Sequence, residues 1–177
     1  MSGPFNTPRL QLITGTPETV ASAIDDLAAL GAHLDAAIPA SWPPEHLDTD
    51  ALSWTLRWLS DPANDPRWGF YWVVLRDPRV LVGVAGYKGM PVDGTVELGY
   101  GVASDYRRRG FATEATRALI AHAFTHPEVE RVIAETLPDL APSIGVLKKC
   151  GFTLIGEGSE PGVIRYELRR QNRKTEL

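Results

Sequence analysis

Residues 95–125 read TVELGYGVASDYRRRGFATEATRALIAHAFT, and their pattern predicts the central unit of the chain. Residues 95–102 alternate between apolar and polar side chains, which predicts a β-strand. Residues 110–125 predict an amphipathic helix, whose apolar stripe consists of Ala112, Ala115, Leu119 and Ala123. A further strand is predicted at 131–136. A strand, a helix and a second strand in this order predict a parallel pair of strands.

Short elements separated by proline and glycine surround this unit. Before it we predict a strand at 9–13, helices at 17–29 and 50–60, and hairpin strands at 70–75 and 80–87. After it we predict a helix at 142–150 and strands at 153–156 and 163–168. Gly31 is the expected stop of the first helix. The chain is therefore predicted to be a single α/β (α+β) domain over residues 1–177. Its sheet is expected to be mixed, mostly antiparallel and seven-stranded, with helices on both faces.

The composition is that of an ordinary globular domain, with 177 residues of which 44% are hydrophobic and 23% charged. A net charge of −4 provides no basic field, so neither nucleic acid nor membrane is an expected partner. Residues 1–8 show no secretory signal, no apolar run reaches the ~20 residues of a membrane span, and the single cysteine forms no internal disulfide. We therefore expect a cytoplasmic protein. Residues 170–177, which are rich in basic side chains, are expected to form a flexible tail.

The loop that opens the central helix, residues 107–112, reads RRRGFA and predicts a phosphate site. A helix N-terminus presents unpaired N–H groups and a partial positive charge, which suit a phosphate. Gly110 and Ala112 leave room for the phosphate to approach the backbone. The three arginines attract anions and can reach a 3′-phosphate. The alternative is a tight turn with exposed arginines.

Four blocks of the chain resemble the GNAT superfamily of N-acetyltransferases, most closely its Rim-type branch, which includes ribosomal-protein N-terminal acetyltransferases. The blocks are residues 96–102 (VELGYGV), 106–115 (YRRRGFATEA), 131–137 (RVIAETL) and 143–152 (SIGVLKKCGF). The resemblance implies acetyl-CoA as the donor and an acetyl-CoA-binding core at about 95–152. It also implies that the fourth and fifth predicted strands splay apart, which leaves a slot for the pantetheine arm. Family relatives are often dimers, so a homodimer is one candidate assembly.

The resemblance assigns most cofactor contacts to the backbone. Groups near Tyr100 and Val102 are expected to hydrogen-bond the pantetheine like an added strand. The pyrophosphate is expected at the N–H groups of Arg108, Arg109, Gly110, Phe111, Ala112 and Thr113, beside the positive charge of Arg107. Leu140 stands where the branch usually has an asparagine that contacts the cofactor. One polar contact is therefore expected to be absent or supplied by backbone.

Two residues are candidates for the proton chemistry that the resemblance implies. Glu97 is the candidate base for the amine, acting directly or through a water; the alternative is a structural ion pair with Lys88. Ser143 is the candidate acid near the CoA thiolate; the alternative is a cap at the start of the short helix. Cys150 is interpreted as a packing residue rather than a nucleophile. The four histidines and the cysteine show no ligand spacing, so no metal is expected.

The acceptor is expected to bind near the tryptophans that precede the central unit. Trp42, in a proline-rich loop, is the candidate wall of the acceptor cleft, with Glu45 as an attraction for a cation and Glu97 within reach of the amine. Trp54 and Trp58 share a helix face and are interpreted as packing residues.

The leading functional hypothesis is an acetyl-CoA-dependent N-acetyltransferase that works by direct attack in a ternary complex. The acceptor is a primary amine, either a protein N-terminus or a small molecule. The alternative is a non-catalytic CoA-binding module for sensing or assembly, which Leu140 favours.

Overall fold

The computed structural model describes residues 5–171. Its strands are β1 (Phe5–Asn6), β2 (Leu10–Thr14), β3 (Phe70–Arg76), β4 (Arg79–Tyr87), β5 (Thr95–Val102), β6 (Arg131–Thr136), β7 (Thr153–Glu157) and β8 (Ile164–Arg169). Its α-helices are α1 (Pro17–Asp25), α2 (Leu27–Leu34), α3 (Thr49–Ser60), α4 (Phe111–Phe124) and α5 (Ala141–Lys149). Among the described residues, no helix is long and apolar enough to cross a membrane.

The strands form one mixed sheet in the order β1-β2-β3-β4-β5-β6-β8-β7. Only the β5–β6 pair is parallel, and the other six pairs within the described residues are antiparallel. This confirms the predicted parallel unit and the mostly antiparallel sheet. The predicted count of seven was wrong, because Phe5 and Asn6 pair with Leu12 and Gln11 and add an eighth strand. Two residues are too few to show an alternating pattern in sequence.

The first predicted helix is two helices, because Asp26 interrupts it. The Asp26 N–H still donates to Ser22 O, 2.7 Å away, while its carboxylate accepts from the Ala29 N–H at 3.1 Å and caps α2. Short acidic side chains compete in this way with helical hydrogen bonds. Gly31 therefore lies inside α2 instead of ending a helix.

Helices cover both faces of the sheet, as predicted. Two neighbouring residues of β3 show this division. Tyr71 lies in one core cluster, with Phe111 and Leu119 of α4. Trp72 lies in a second core cluster, with Val20 of α1 and Leu52 of α3. Successive side chains of a strand point to opposite faces, so the sheet has two apolar layers.

The parallel strands β5 and β6 separate after three residue pairs. Thr95, Val96 and Glu97 pair with Arg131, Val132 and Ile133, and the register ends there. Beyond Glu97, β5 continues along β4 as far as Val102, and β6 continues along β8 as far as Thr136. The fourth and fifth predicted strands thus splay apart as the resemblance implied, and the inner edge of β5 faces a gap.

The C-terminal segment is anchored at Arg170, where a flexible tail was predicted to begin. Its N–H donates to Glu130 O at 2.8 Å, and its guanidinium donates to the carbonyls of Phe124, His126 and Val129. Arg170 ties the end of β8 to the end of α4. The remainder of that predicted tail, residues 172–177, lies outside the described residues.

Candidate active site

The loop before α4 prepares an anion site at the helix N-terminus. Gly110, with φ +81°, is in the left-handed conformation that glycine adopts without steric cost, and it is the N-cap of α4. The first helical bond runs from the Glu114 N–H to Gly110 O, and no side chain caps this end. The N–H groups of Phe111, Ala112 and Thr113 precede that bond, so they are available to an anion.

The loop arginines frame this N-terminus instead of all pointing at it. Arg107 donates to Val102 O at 3.3 Å and lies 3.6 Å from the Glu45 carboxylate. Arg109 stacks on the Tyr106 ring at 5.1 Å, and Arg9 donates to Arg109 O at 2.8 Å. These contacts hold the loop in its shape and engage the side chains of Arg107 and Arg109.

Tyr100 and Ser143 meet beside the gap between β5 and β6. The Tyr100 hydroxyl donates to Ser143 O at 3.0 Å and lies 3.1 Å from Ser143 Oγ. Burial raises the pKa of Tyr100 to about 12, although the hydrogen bond with Ser143 acts against this shift. The capping alternative for Ser143 was wrong, because Leu140 is the N-cap of α5 and no side chain caps that end. Ser143 therefore turns to β5.

Leu140 and Cys150 lie at the two ends of α5. The Leu140 side chain is 38% exposed, and its backbone accepts the first helical bond, from the Ile144 N–H. Cys150 is half-buried against the core, and burial raises the pKa of its thiol. A raised pKa disfavours the thiolate, which agrees with the interpretation of Cys150 as a packing residue.

A cleft of about 490 Å³ adjoins Tyr100 and Ser143 on the side of α3. Its aromatic wall is Trp54, Trp58 and Phe70, and its charged residues are Glu45, Lys88 and Glu135. Trp42 lies elsewhere, half-buried and 6.2 Å from the Trp72 ring, centroid to centroid. Trp54, in contrast, is 51% exposed. The tryptophans at the cleft are thus Trp54 and Trp58, and Trp58 also packs against the core, as predicted.

Glu97 forms the ion pair that was its structural alternative. Its carboxylate lies 2.7 Å from Lys88 Nζ, and its carbonyl accepts from the Lys88 N–H at 2.8 Å. Glu97 shares its face of β5 with Gly99 and Gly101, since alternate residues of a strand point the same way. Both glycines and Lys88 line the cleft. The carboxylate therefore lies next to the lining residues.

Sequence reasoning missed Glu135, a carboxylate at the cleft that is only 8% exposed. Burial raises its pKa, but hydrogen bonds from Ser159 and Arg165 outweigh burial and hold the pKa below its usual range. Arg165 Nη2 lies 2.7 Å from Glu135 Oε1. Arg165 is 30 residues away in sequence, so no local sequence pattern predicts this ion pair.

A family model and several curated proteins match this chain in sequence. The family model described as an acetyltransferase (GNAT) domain matches residues 20–153. The uncharacterized N-acetyltransferase YnaD of Bacillus subtilis (strain 168) is 33% identical over 80 residues, which are 45% of this chain and 47% of that protein. The chain spans about half the length of the curated relatives it matches.

Solved structures share the fold at low identity. A ribosomal-protein-S5-alanine acetyltransferase from Vibrio fischeri superposes with a TM-score of 0.69 at 18% identity, over 96% of this chain and 97% of that one. The microcin C7 self immunity acetyltransferase MccE, solved in complex with acetyl-CoA and AMP, superposes with a TM-score of 0.65 at 16% identity, over 93% and 94%. The family model covers most of the chain, and the splayed strands and the helix N-terminus agree with it: this chain belongs to the GNAT acetyltransferase family.

Proposed function

We propose that this protein is an acetyl-CoA-dependent N-acetyltransferase that acetylates a primary amine by direct attack in a ternary complex. The observation that carries the proposal is a series of polar groups that follows the gap between β5 and β6. It begins with the hydroxyls of Tyr100 and Ser143 beside the strand gap, and it ends at the free N–H groups of α4. A thioester, a peptide-like arm and a pyrophosphate need such groups in that order.

Each part of the donor would be held by a different element. The inner edge of β5 beyond Glu97 can pair with the amides of the pantetheine arm, as an added strand does. The N–H groups of Phe111, Ala112 and Thr113 would hold the pyrophosphate. Gly110 fits this use, since its backbone conformation opens the approach. The structural neighbour MccE, which was solved with acetyl-CoA, agrees with this donor.

The amine must lose a proton before it can attack, because its pKa is near ~10.4 if it resembles lysine. Glu97 would accept that proton, directly or through a water. Its carboxylate lies 2.7 Å from Lys88 Nζ, and Lys88 lines the cleft, so the ion pair holds the carboxylate beside the acceptor. Acetyl-CoA supplies the thioester carbonyl that the amine attacks, with CoA as the leaving group. Ser143 would donate a proton to the departing sulfur and recover one from solvent, and Tyr100, kept neutral by its raised pKa, would hold the Ser143 hydroxyl in place.

The cleft supports a cationic acceptor. Its lining residues include the Glu45 carboxylate, which is 70% exposed, and the rings of Trp54 and Trp58, whereas the Glu135 carboxylate is already paired with Arg165. Aromatic faces and carboxylates both attract an ammonium group. A protein N-terminus is one such group, in line with the ribosomal-protein acetyltransferase among the structural neighbours. A small-molecule amine is the other.

The test is an acetylation assay with free CoA thiol as the readout. Purified protein is incubated with acetyl-CoA and, separately, peptides with different N-terminal residues and a panel of small amines. Thiol release that depends on one acceptor class supports the proposal and identifies the acceptor. Tight CoA binding without turnover on any acceptor, together with no effect of Glu97→Gln, would instead favour the non-catalytic CoA-binding module.

A further inference from the structure

A second, larger groove runs along α4. It has a volume of about 1010 Å³ and lies between α4 and the segment 5–9. Gly110 and Thr113 line it, so it opens directly from the N-terminus where the pyrophosphate is proposed to bind. The proton chemistry and the acceptor cleft use none of this groove.

The charges that line the groove leave two cations unmatched. Its one carboxylate, Glu114, is occupied by Arg9, whose Nε lies 2.8 Å from Glu114 Oε2. Arg117 and Lys149 also line the groove, and both side chains are exposed. Within residues 5–171, no carboxylate lies within ion-pair distance of either. The groove therefore presents a net positive charge to a ligand.

Arg117 is held in position by the neighbouring helix. Its Nη2 donates to Lys149 O at 3.1 Å, which brings the end of α5 beside α4. A guanidinium has five N–H donors, so this bond leaves others for an anion. Arg117 also follows Thr113 by four residues, about 6 Å along the helix axis, so it lies one turn beyond the proposed pyrophosphate contacts.

Two of the loop arginines are engaged elsewhere. Arg107 is directed to Glu45 and Val102 O, and Arg109 lies over the Tyr106 ring. None of the three loop arginines lines the groove, so a phosphate monoester that enters it one ribose away from the pyrophosphate would meet Arg117 and Lys149 instead. The sequence had suggested that the loop arginines reach this phosphate.

We propose that Arg117 and Lys149 form the subsite for the 3′-phosphate on the ribose of CoA, and that this subsite makes the protein select CoA over 3′-dephospho-CoA. The inference rests on the proposed function, since it uses the pyrophosphate position at α4. It also names the residues that would set the preference for CoA. A phosphate dianion between two cations gains charge-assisted hydrogen bonds, and 3′-dephospho-CoA lacks that phosphate.

Calorimetric titration of CoA and 3′-dephospho-CoA tests the inference without any need for turnover. Wild-type protein is expected to bind CoA about 10- to 100-fold more tightly than 3′-dephospho-CoA. Arg117→Ala combined with Lys149→Ala should weaken CoA binding until the two affinities agree within about threefold, and should leave 3′-dephospho-CoA binding unchanged. Lys148→Ala is the matched control, because this exposed neighbour carries the same charge but does not line the groove. It should keep the full preference.

The outcomes separate this inference from the proposed function. If wild-type protein binds both molecules equally, or if the double variant keeps the preference, the subsite is wrong while the donor site stands. If wild-type protein binds neither molecule, the proposed function fails together with the subsite.

Discussion

The Tyr100 hydroxyl oxygen lies 3.1 Å from Ser143 Oγ and 3.0 Å from Ser143 O, which links β5 to α5 beside the gap between β5 and β6. The two residues are 43 positions apart in sequence, so the contact depends on the whole fold. It places two hydroxyls where the proposed reaction needs a proton donor.

Tyr100→Phe removes this contact and should have two effects. The free energy of unfolding should fall by about 1 kcal/mol, the usual net value of a hydrogen bond. The kcat of acetyl transfer should also fall, because the Ser143 hydroxyl loses the partner that orients it. Urea denaturation and thiol-release kinetics measure these quantities. Tyr166→Phe, at a buried tyrosine of β8, is the control and should leave kcat unchanged. An unaltered kcat in Tyr100→Phe would remove Tyr100 from the proposed proton chemistry.

Variants of Glu97 and Lys88 distinguish the proposed base role of Glu97 from its ion pair with Lys88. Glu97→Gln should abolish most turnover at neutral pH and keep CoA affinity, since the amine then has no proton acceptor. Lys88→Met also breaks the pair, but it retains the carboxylate, so substantial turnover should remain. Steady-state kinetics with calorimetric CoA binding distinguish the two variants. Equal losses of turnover in Glu97→Gln and Lys88→Met would show that turnover depends on the ion pair and not on Glu97 as a base.

Trp54 and Trp42 are expected to exchange the roles that the sequence suggested. Trp54→Ala should raise the KM for the acceptor and change stability by less than about 0.5 kcal/mol, because the side chain is exposed at the cleft. Trp42→Ala should lower the free energy of unfolding by about 2 kcal/mol through lost packing on Trp72, with little effect on KM. Thermal unfolding and acceptor titrations check both. The reverse pattern would restore Trp42 as the acceptor wall.

Glu114 should make stability depend on pH in the acid range. Burial raises its pKa, but hydrogen bonds from Thr7 and Arg9 outweigh burial, so the folded pKa lies below the unfolded value near 4.5. A lowered folded pKa stabilises the fold above pH 4.5, and this contribution is lost as pH falls through the folded pKa. Glu114→Gln should remove that part of the pH dependence. Urea denaturation at pH 7, 4.5 and 3 measures it, and an identical acid slope in the variant would show that Glu114 contributes nothing.

The central strand–helix–strand unit could be predicted from sequence because its signals are local. The alternation of β5 and the apolar stripe of α4 each lie within one element, and Gly110 marks their junction. The splay of β5 and β6 required the family resemblance, because no periodicity reports where two strands part. The break at Asp26 was missed because one short polar residue left the helical pattern intact on both sides.

The contents of the site were harder to predict because they depend on contacts between distant segments. A cap on α5 was the alternative role for Ser143, but α5 begins at Ala141, two residues earlier, with Leu140 as its N-cap. Glu135 gave no local signal, because its partners Ser159 and Arg165 lie 24 and 30 residues away in sequence. Helical spacing correctly placed Trp54 and Trp58 on one face, but it does not reveal whether that face meets the core or a cleft.

Calorimetric titration of CoA into Gly110 variants is the most direct test of the donor site. The wild-type protein should bind CoA, and Gly110→Glu should show no measurable binding, because the new side chain blocks the N–H groups and repels the pyrophosphate. Gly110→Ala controls for backbone strain, since a non-glycine residue at φ +81° costs about 1–2 kcal/mol without adding charge. Circular dichroism verifies that both variants are folded. Folded Gly110→Glu protein that binds CoA as tightly as the wild type would contradict the assignment of this helix N-terminus as the acetyl-CoA site.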